Sequence, residues 1–342
     1  MAEYQTPEML RVPLDELCLQ IKLLDLGEVA EFLGRAIEPP RVEAVTEAIK
    51  GLQDLQALDL REYLTPLGYH LASLPVNVRI GKILLYGTIF RCIDPTLTIA
   101  AGLSFRSPFV APFEKREEAD KARKAFSVGK SDHLTLLKAY DGWVNAKSKG
   151  GERAYCLTHF LSSNAMRMIA QSKRQFVDLL LEIGFLQSGK DVYIDHKTGR
   201  GGDSARGGRG GGRRGGRGRG GGRDQTNFGG VWYNANSHHV ALVKAVICAG
   251  LYPNIVRVQP EPPPRPDRDG RPRRPKPPKL KNREDGEVFI HPISANFDAS
   301  VTFPSPYLMY LLRGSAAVKI STSFSLSFGV LYDIRVSSEQ VL

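Results

Sequence analysis

Two low-complexity segments divide the chain and limit where folded structure can form. The Arg/Gly segment, residues 200–223, contains 13 Gly and eight Arg, and the Pro-rich segment, residues 260–283, contains nine Pro and nine Lys or Arg. Neither has the apolar content needed to offset the entropy of ordering its backbone. We therefore predict that the first is disordered and that the second is a polyproline-like or disordered loop.

The same two segments carry the positive charge of the chain. The net charge of +11 arises from 47 Lys and Arg against 36 Asp and Glu. The Arg/Gly segment contributes +7 and the Pro-rich segment +6, which leaves −2 for the other 294 residues. Any tendency to bind polyanions that the composition indicates belongs mainly to these segments.

Cysteine spacing and hydropathy indicate a reduced, intracellular protein. The four cysteines lie at least 64 residues apart, which gives no disulfide framework. The most apolar long stretch, residues 240–252, is 13 residues long and contains Lys244. A membrane-spanning helix needs roughly 20 apolar residues, so we expect no membrane contact and a location in the nucleus, the cytoplasm or both.

Apolar residues at spacings of three and four predict compact helices at the N-terminal end. They cover residues 14–24, 29–37 and 42–55. Residues 63–68 then have the pattern of a short extended hairpin that turns into another helix. Three helices followed by a small hairpin are the plan of a winged-helix domain, which we predict for residues 1–75.

A helical bundle is predicted for residues 76–186, because helical patterns there are separated by short polar breaks. Short polar side chains able to cap a first turn mark helix starts at residues 131–132 and 162–164. The last helix is amphipathic: its apolar side aligns Ile169, Phe176, Leu180 and Ile183, and its polar side aligns Arg167, Gln171, Arg174 and Asp178.

Short β-type runs dominate the rest of the chain. An apolar helix at 238–250 leads into an extended run at 254–258, and further runs follow at 287–291, 307–312 and 317–323. We predict a small β-barrel in which the Pro-rich segment is a long loop between the first two strands.

No complete active site is recognisable. Residues 129–131 supply only the end of a phosphate-binding loop, because Lys124 stands where its first glycine is required. The glycine spacing at 210–215 matches a dinucleotide-binding motif without the strand that must precede it. Residues 131–133 contain Ser, Asp and His, but consecutive residues cannot hydrogen-bond in series, which favours helix capping over a hydrolase triad. We find no His and Cys set at zinc-ligand spacing.

The Arg/Gly segment does have a clear physical use. Flexible glycines let guanidinium groups pair with phosphates and stack on unpaired bases with little sequence preference. This favours contact with RNA or single-stranded nucleic acid over an inert linker or a gene-model artefact. The Pro-rich segment is either a docking peptide for proline-recognition domains or a spacer. The face of Arg167 and Arg174 is either a solvated surface or the lining of a nucleic-acid channel.

Several motifs occur in order along the chain: PEMLRVPLDELCLQIK at 7–22, LTPLG at 64–68, LPV at 74–76, SDHL at 131–134 and HPISAN at 291–296. Together they resemble the region after the motor domains of DEAH-box RNA helicases, most strongly the RNA-helicase-A type, including its G-quadruplex-resolving members. The resemblance covers nearly the whole chain outside the two low-complexity segments. Two features depart from the family pattern. Ile293 stands where a small polar residue is usual, and residues 321–331 look inserted before an ending that does not match the last strands of the family, so the motifs do not predict whether the barrel is complete.

The resemblance implies a winged-helix domain, a ratchet-like bundle and an OB-fold domain. The expected fold class is therefore α+β: a winged helix and helical bundle followed by a small OB-fold-like β-barrel, with two disordered insertions. The corresponding domains are a winged helix at 1–75, a bundle at 76–186, an Arg/Gly-rich insertion at 187–235 and an OB-fold-like domain at 236–342.

In such helicases, two RecA-like domains bind and hydrolyse ATP. This chain contains neither a phosphate-binding loop nor an Asp-Glu-Ala-His box. We therefore expect a fragment, a truncated gene model or a split product that holds no cofactor and hydrolyses no ATP by itself. The resemblance implies ATP and Mg²⁺ only for the motor domains.

The resemblance also implies RNA-binding residues. The helix start after residue 162 resembles the bundle helix that borders the RNA path, and residues 291–296 resemble an OB strand and turn near the same path. The implied contacts in these two regions are Ser163, Asn164, Arg167, Lys173, Arg174, His291, Ser294 and Asn296. Looser tethering of RNA is expected from Arg206, Arg209, Arg213, Arg214, Arg217, Arg219 and Arg223.

Two functional hypotheses follow. In the first, the chain is the accessory region of an ATP-dependent helicase, gripping single-stranded RNA and coupling it to RecA-like motor domains. In the second, it is a freestanding, non-enzymatic RNA-binding or adaptor protein that uses its Arg/Gly segment for RNA and its Pro-rich segment for proline-recognition domains.

Overall fold

The computed structural model describes residues 7–129, 131–187, 193–194, 227–259, 278–283, 286–290, 294, 303, 305–310, 313–314 and 334–335. Of residues 193–194, 227, 313–314 and 334–335 it describes the backbone alone. Most of the described chain is helical, and a four-stranded antiparallel sheet follows the helices. The whole Arg/Gly segment and residues 260–277 of the Pro-rich segment lie outside the described residues.

Short helices build the N-terminal region, and an isolated antiparallel bridge between Leu58 and Leu64 separates the third from the fourth. Their bounds are α1 (Asp15–Leu23), α2 (Val29–Gly34), α3 (Val42–Asp54) and α4 (Pro66–Ala72). The predicted helices and the short extended pair after them are thus confirmed. A Cβ atom on Gly68 would lie 1.9 Å from the carbonyl oxygen of Ala57, so glycine is required for α4 to approach the bridge this closely.

The bundle comprises α5 (Val78–Ile89), α6 (Ile93–Leu103), α7 (Arg116–Ala125), α8 (Asp132–Ser148), α9 (Glu152–Thr158) and α10 (Ser163–Glu182). Helix α6 is buried along its length, packed against α5, α8 and α10. The two predicted helix starts are confirmed. Ser131 Oγ accepts a hydrogen bond from the Leu134 amide at 3.2 Å, and Ser162 Oγ accepts one from the Ala165 amide at 3.3 Å.

The ends of the Arg/Gly insertion are joined by a short antiparallel ladder. Strand β1 (Tyr193–Ile194) pairs with β2 (Asn227–Phe228), with Tyr193 opposite Phe228 and Ile194 opposite Asn227. A one-turn helix, α11 (Gly230–Tyr233), follows at once. Residues 227–235, which we predicted to belong to the disordered insertion, are therefore ordered.

Helix α12 (Val240–Leu251), which we predicted at 238–250 as the start of the OB-fold-like region, lies against the bundle. It packs against α5 and α6. A Cβ atom on Gly250 would lie 2.2 Å from Ile83 Cγ1, so the close approach of α12 to α5 depends on that glycine. The chain that follows the insertion thus returns to the surface of the bundle.

The sheet has the strand order β5-β4-β3-β6, and all its pairs are antiparallel. Its strands are β3 (Ile255–Gln259), β4 (Lys279–Asn282), β5 (Glu287–Val288) and β6 (Tyr307–Met309). Strand β4 lies within the segment that we predicted to be a loop, and that prediction is wrong for these residues. Buried Leu280 and Asn282 alternate with two lysines over only four residues, which is too short a pattern to indicate a strand.

Barrel closure is not seen among the described residues. Beyond β6, a two-residue strand β7 (Arg313–Gly314) pairs in parallel with β8 (Ile334–Arg335). The strand predicted at 317–323 lies outside the described residues. What the described residues show is a small antiparallel sheet.

Candidate nucleic-acid interface

Helix α10 carries the residues that sequence reasoning placed at an RNA path, and its amphipathic character is confirmed. Ile169, Phe176 and Leu180 are buried against the bundle. On the other side Arg167 and Gln171 are exposed. Because the opposite side of the helix is buried in the bundle, the side chains of this face project from positions set by the packed helix.

The first two turns of α10 hold the accessible predicted residues. Asn164 is exposed, and Arg167 lies one turn further along with 59% of its side chain exposed. The Arg167 guanidinium donates to Glu152 Oε1 at 3.0 Å. Ser163 and Arg174 are half-buried. The structure thus brings Asn164 and Arg167 together on one accessible surface, with Ser163 and Arg174 at its edge.

Lys173 has a different environment. Its side chain is 0% exposed, and its ammonium donates to Asp94 Oδ1 at 2.9 Å and to Thr98 Oγ1 at 2.7 Å. The rings of Tyr140 and Phe228 flank the same ammonium. Such burial argues against the predicted phosphate contact, because the charge is already neutralised inside the bundle.

Asp94 is the residue of this cluster that sequence reasoning missed. Besides the Lys173 ammonium, its Oδ1 accepts the backbone amide of Phe228 at 3.0 Å, and its own amide donates to Asn234 Oδ1 at 2.9 Å. Asp94 and Phe228 are separated by 134 residues. A contact across so long a separation leaves no signal in local spacing.

The C-terminal half of α10 lines a cleft of about 800 Å³ between the N-terminal helices and the bundle. Its lining includes Asp15, Asp178 and Glu182, with Arg79 as a cation among them. Burial raises the pKa of Asp15, an effect that the nearby Arg79 guanidinium opposes. Three carboxyl groups make this cleft unsuited to phosphate, so the candidate interface is confined to the N-terminal half of α10.

Residues 131–133 have structural roles, as the predicted helix cap implies. Asp132 is buried and accepts from Arg123 Nη2 at 2.9 Å and from Ser294 Oγ at 2.6 Å. Burial lowers the pKa of the His133 imidazole to about 3. Ser294, which we expected to contact RNA, is itself buried and ties the chain beyond the sheet's first three strands to the bundle.

The remaining predicted contacts cannot be placed on this surface. His291, Asn296 and the seven arginines of the Arg/Gly segment lie outside the described residues. Their proposed contacts with RNA remain predictions.

Other chemistry is weakly represented in the described part of the chain. Burial raises the pKa of the Cys92 and Cys248 thiols to about 11, which disfavours thiolate nucleophiles. Within the described ranges, no cluster of His, Cys, Asp and Glu has the arrangement of a metal site. No helix there combines the length and the apolar character that crossing a bilayer demands.

Three family models match the chain in the order of its structural regions. A winged-helix part of the helicase associated domain (HA2) matches residues 48–76, and the ratchet-like part of that domain matches residues 77–136. An oligonucleotide/oligosaccharide-binding (OB) fold model matches residues 243–317. The fold and the matches together define a helicase-associated region.

Curated relatives identify which helicases this region resembles. The ATP-dependent DNA/RNA helicase DHX36 of Rattus norvegicus is 41% identical over 314 residues, which cover 91% of this chain and 27% of that protein. In Arabidopsis thaliana, the DExH-box ATP-dependent RNA helicase DExH1 is 40% identical over 327 residues, covering 94% of this chain and 28% of the relative. DExH3 from the same plant is 36% identical over 341 residues, or 98% and 24% of the two chains.

The chain corresponds to the C-terminal winged-helix, ratchet-like and OB-fold region of DEAH-box helicases. It spans about a quarter of the length of these relatives. The resemblance inferred from the motifs is thereby confirmed.

Proposed function

We propose that this chain grips single-stranded RNA through the N-terminal half of α10 and couples it to RecA-like motor domains. The observation that carries the proposal is the exposed pair of Asn164 and Arg167 on α10, whose other side is buried in the bundle. The relatives' printed names, a DNA/RNA helicase and RNA helicases, give the substrate class. We extend that class to this chain.

The ion pair between Arg167 and Glu152 is compatible with this role. An exposed pair of this kind contributes about 0–1 kcal/mol, because water and salt screen it. A phosphate oxygen can therefore replace the Glu152 carboxylate at little cost, and the planar guanidinium suits two parallel hydrogen bonds to phosphate. Asn164, one turn earlier, can donate to a neighbouring phosphate or sugar.

Two further contributions complete the proposal. Arginines of the Arg/Gly segment tether RNA loosely through phosphates and unpaired bases, and residues 291–296 add contacts from the OB-fold region. The contribution of the Arg/Gly segment to RNA affinity can be measured separately from that of α10, because the segment can be removed while β1 and β2 are retained.

Fluorescence anisotropy with a 12-nucleotide single-stranded RNA at two salt concentrations tests the proposal. The variants are Arg167→Ala, a deletion of residues 200–223, and Arg35→Ala as a matched control. Arg35 is also an exposed arginine paired with a glutamate, Glu31, but it lies at the C-terminal end of α2. We expect Arg167→Ala to weaken binding several-fold and to lower the salt slope by about one, as the loss of one phosphate contact requires.

The control should bind as the wild type does. Equal losses from Arg167→Ala and Arg35→Ala would mean that overall charge, not α10, decides affinity. Complete loss of binding on deletion of residues 200–223 would assign the grip to the Arg/Gly segment and remove the role proposed for α10.

A further inference from the structure

An exposed tryptophan lies against an arginine that follows the end of α5. Trp232, on α11, has 62% of its surface exposed, and the Arg91 guanidinium carbon lies 3.5 Å from the centre of its ring. This distance is that of a stacked cation–π pair. The guanidinium covers one face of the ring, and the high exposure leaves the opposite face open to solvent.

The backbone holds both partners in place. Arg91 has φ of 55°, a left-handed conformation that favours glycine at a helix end. Asn236 fixes this turn, since its amide donates to Arg91 O at 2.9 Å and its side chain donates to Phe90 O at 3.0 Å. On the other side, Asn234 Nδ2 donates to the carbonyl oxygens of Phe228 and Gly230 at 2.6 and 2.9 Å. The stack is therefore built from two anchored pieces of chain.

The surroundings suit an anionic ligand that presents flat aromatic faces. No Asp or Glu occurs from residue 227 to residue 259 or along α5. Asp94, which follows α5, is engaged with Lys173. Exposed Val231, Ile89 and Phe90 supply further apolar surface around the ring. Unpaired nucleobases on a phosphate backbone combine the π-face and the negative charge that such a surface prefers.

We infer that Trp232 is a stacking platform for an unpaired nucleobase, with Arg91 orienting the ring and meeting the adjacent phosphate. The inference rests on the proposed RNA function but concerns a site separate from α10. It assigns base contact to a segment that the sequence indicated only as part of a disordered insertion.

The two tryptophans of the chain allow a direct test. Trp143 is wholly buried in the bundle, whereas Trp232 is exposed, so the two respond differently to a ligand at the surface. We would titrate the full chain with a 12-nucleotide single-stranded RNA and record tryptophan emission. The wild type should be quenched, Trp143→Phe should keep the quenching, and Trp232→Phe should lose it.

Affinity provides a second measurement that does not depend on fluorescence. Trp232→Ala should weaken RNA binding about tenfold, within the range of one lost base–aromatic stack. The same variant should bind an abasic phosphodiester oligomer of equal length as the wild type does, because only the bases are missing there. Trp232 is exposed, so the thermal unfolding midpoint of the variant should stay within a few degrees of the wild-type value.

The outcomes separate this inference from the proposal for α10. RNA binding with unchanged affinity in Trp232→Ala and unchanged quenching in Trp232→Phe would overturn the platform and leave the proposed function standing. Absence of RNA binding by the wild-type chain would remove both. Quenching of Trp232 by a proline-rich peptide but not by RNA would assign the surface to protein docking and also overturn the inference.

Discussion

The two long insertions are attached to the fold in different ways. The first leaves from β1 and returns at β2, a ladder of two residues a side whose Phe228 packs over the buried Lys173 ammonium. The second leaves from β3 and returns at β4, a ladder of four residue pairs in which Gln259 faces Lys279. The attachment of the first insertion therefore depends on side chains buried in the bundle, and the attachment of the second depends on backbone pairing within a sheet.

This difference predicts how each attachment responds to substitution. A single change to the ionic cluster beneath β2 removes contacts from α6, α10 and the returning chain together. The stability of the β3–β4 ladder is distributed over several backbone hydrogen bonds. Replacing one side chain there should therefore have a smaller effect on the free energy of unfolding.

Replacement of Asp94 by alanine should have the largest effect. It leaves the buried Lys173 ammonium without its carboxylate partner, which typically costs 3–5 kcal/mol of unfolding free energy. Urea unfolding at pH 7 measures the change. Adding Lys173→Met to Asp94→Ala should recover much of the loss, because it removes the uncompensated charge.

Glu31→Ala serves as the control for this experiment, since it breaks an exposed ion pair with Arg35. It should change the unfolding free energy by less than about 0.5 kcal/mol. A similarly small loss of unfolding free energy in Asp94→Ala would show that the β1–β2 attachment does not depend on the buried cluster.

Acid should lower the free energy of unfolding by a smaller amount. His133 lies beside Asp132, which accepts from Ser294, and burial lowers its pKa to about 3. An unfolded histidine has a pKa near 6.5, so below that pH the unfolded chain binds a proton that the folded chain does not. The free energy of unfolding should thus fall by about 1.6 kcal/mol between pH 6.5 and pH 5.

Urea unfolding across this range, in the wild type and in His133→Gln, isolates the contribution. The comparison uses the slope with pH rather than the absolute stability of the variant. The wild type should show the steeper slope, and parallel slopes would assign the pH dependence to other groups.

Shortening the insertions should have the smallest effect. Deleting residues 200–223 reduces the 32 residues between β1 and β2 to eight, and deleting residues 262–275 reduces the 19 between β3 and β4 to five. Each change is about two doublings of loop length, which corresponds to a gain of about 1 kcal/mol from loop-closure entropy. Thermal unfolding of both deletions measures it, and a loss of more than about 2 kcal/mol would falsify this purely entropic account.

Local patterns in the sequence predicted most of the helical architecture. Helix starts at Ser131 and Ser162 and the two faces of α10 follow from capping chemistry and from the 3.6-residue period. These features depend on residues within one or two turns of each other. The position of Arg167 on an exposed face was predictable for the same reason.

Features set by distant contacts were not predictable. The burial of Lys173 requires Asp94, and the order of residues 228–234 requires the surface of α6, which lies more than 100 residues away in sequence. Strand β4 was hidden because four residues of alternation within a Pro- and Lys-rich segment are too few to identify a strand. In each case the deciding interaction is absent from the local sequence.

The ladder between β1 and β2 also has an evolutionary consequence. With the flanking ends held as neighbours, residues between them can lengthen, shorten or change composition while the contact of α12 with α5 is preserved. Selection on the composition of that segment is thereby decoupled from selection on folding. Related proteins can acquire different sequences there, and a foreign domain whose own termini lie close together can be accommodated at the same place.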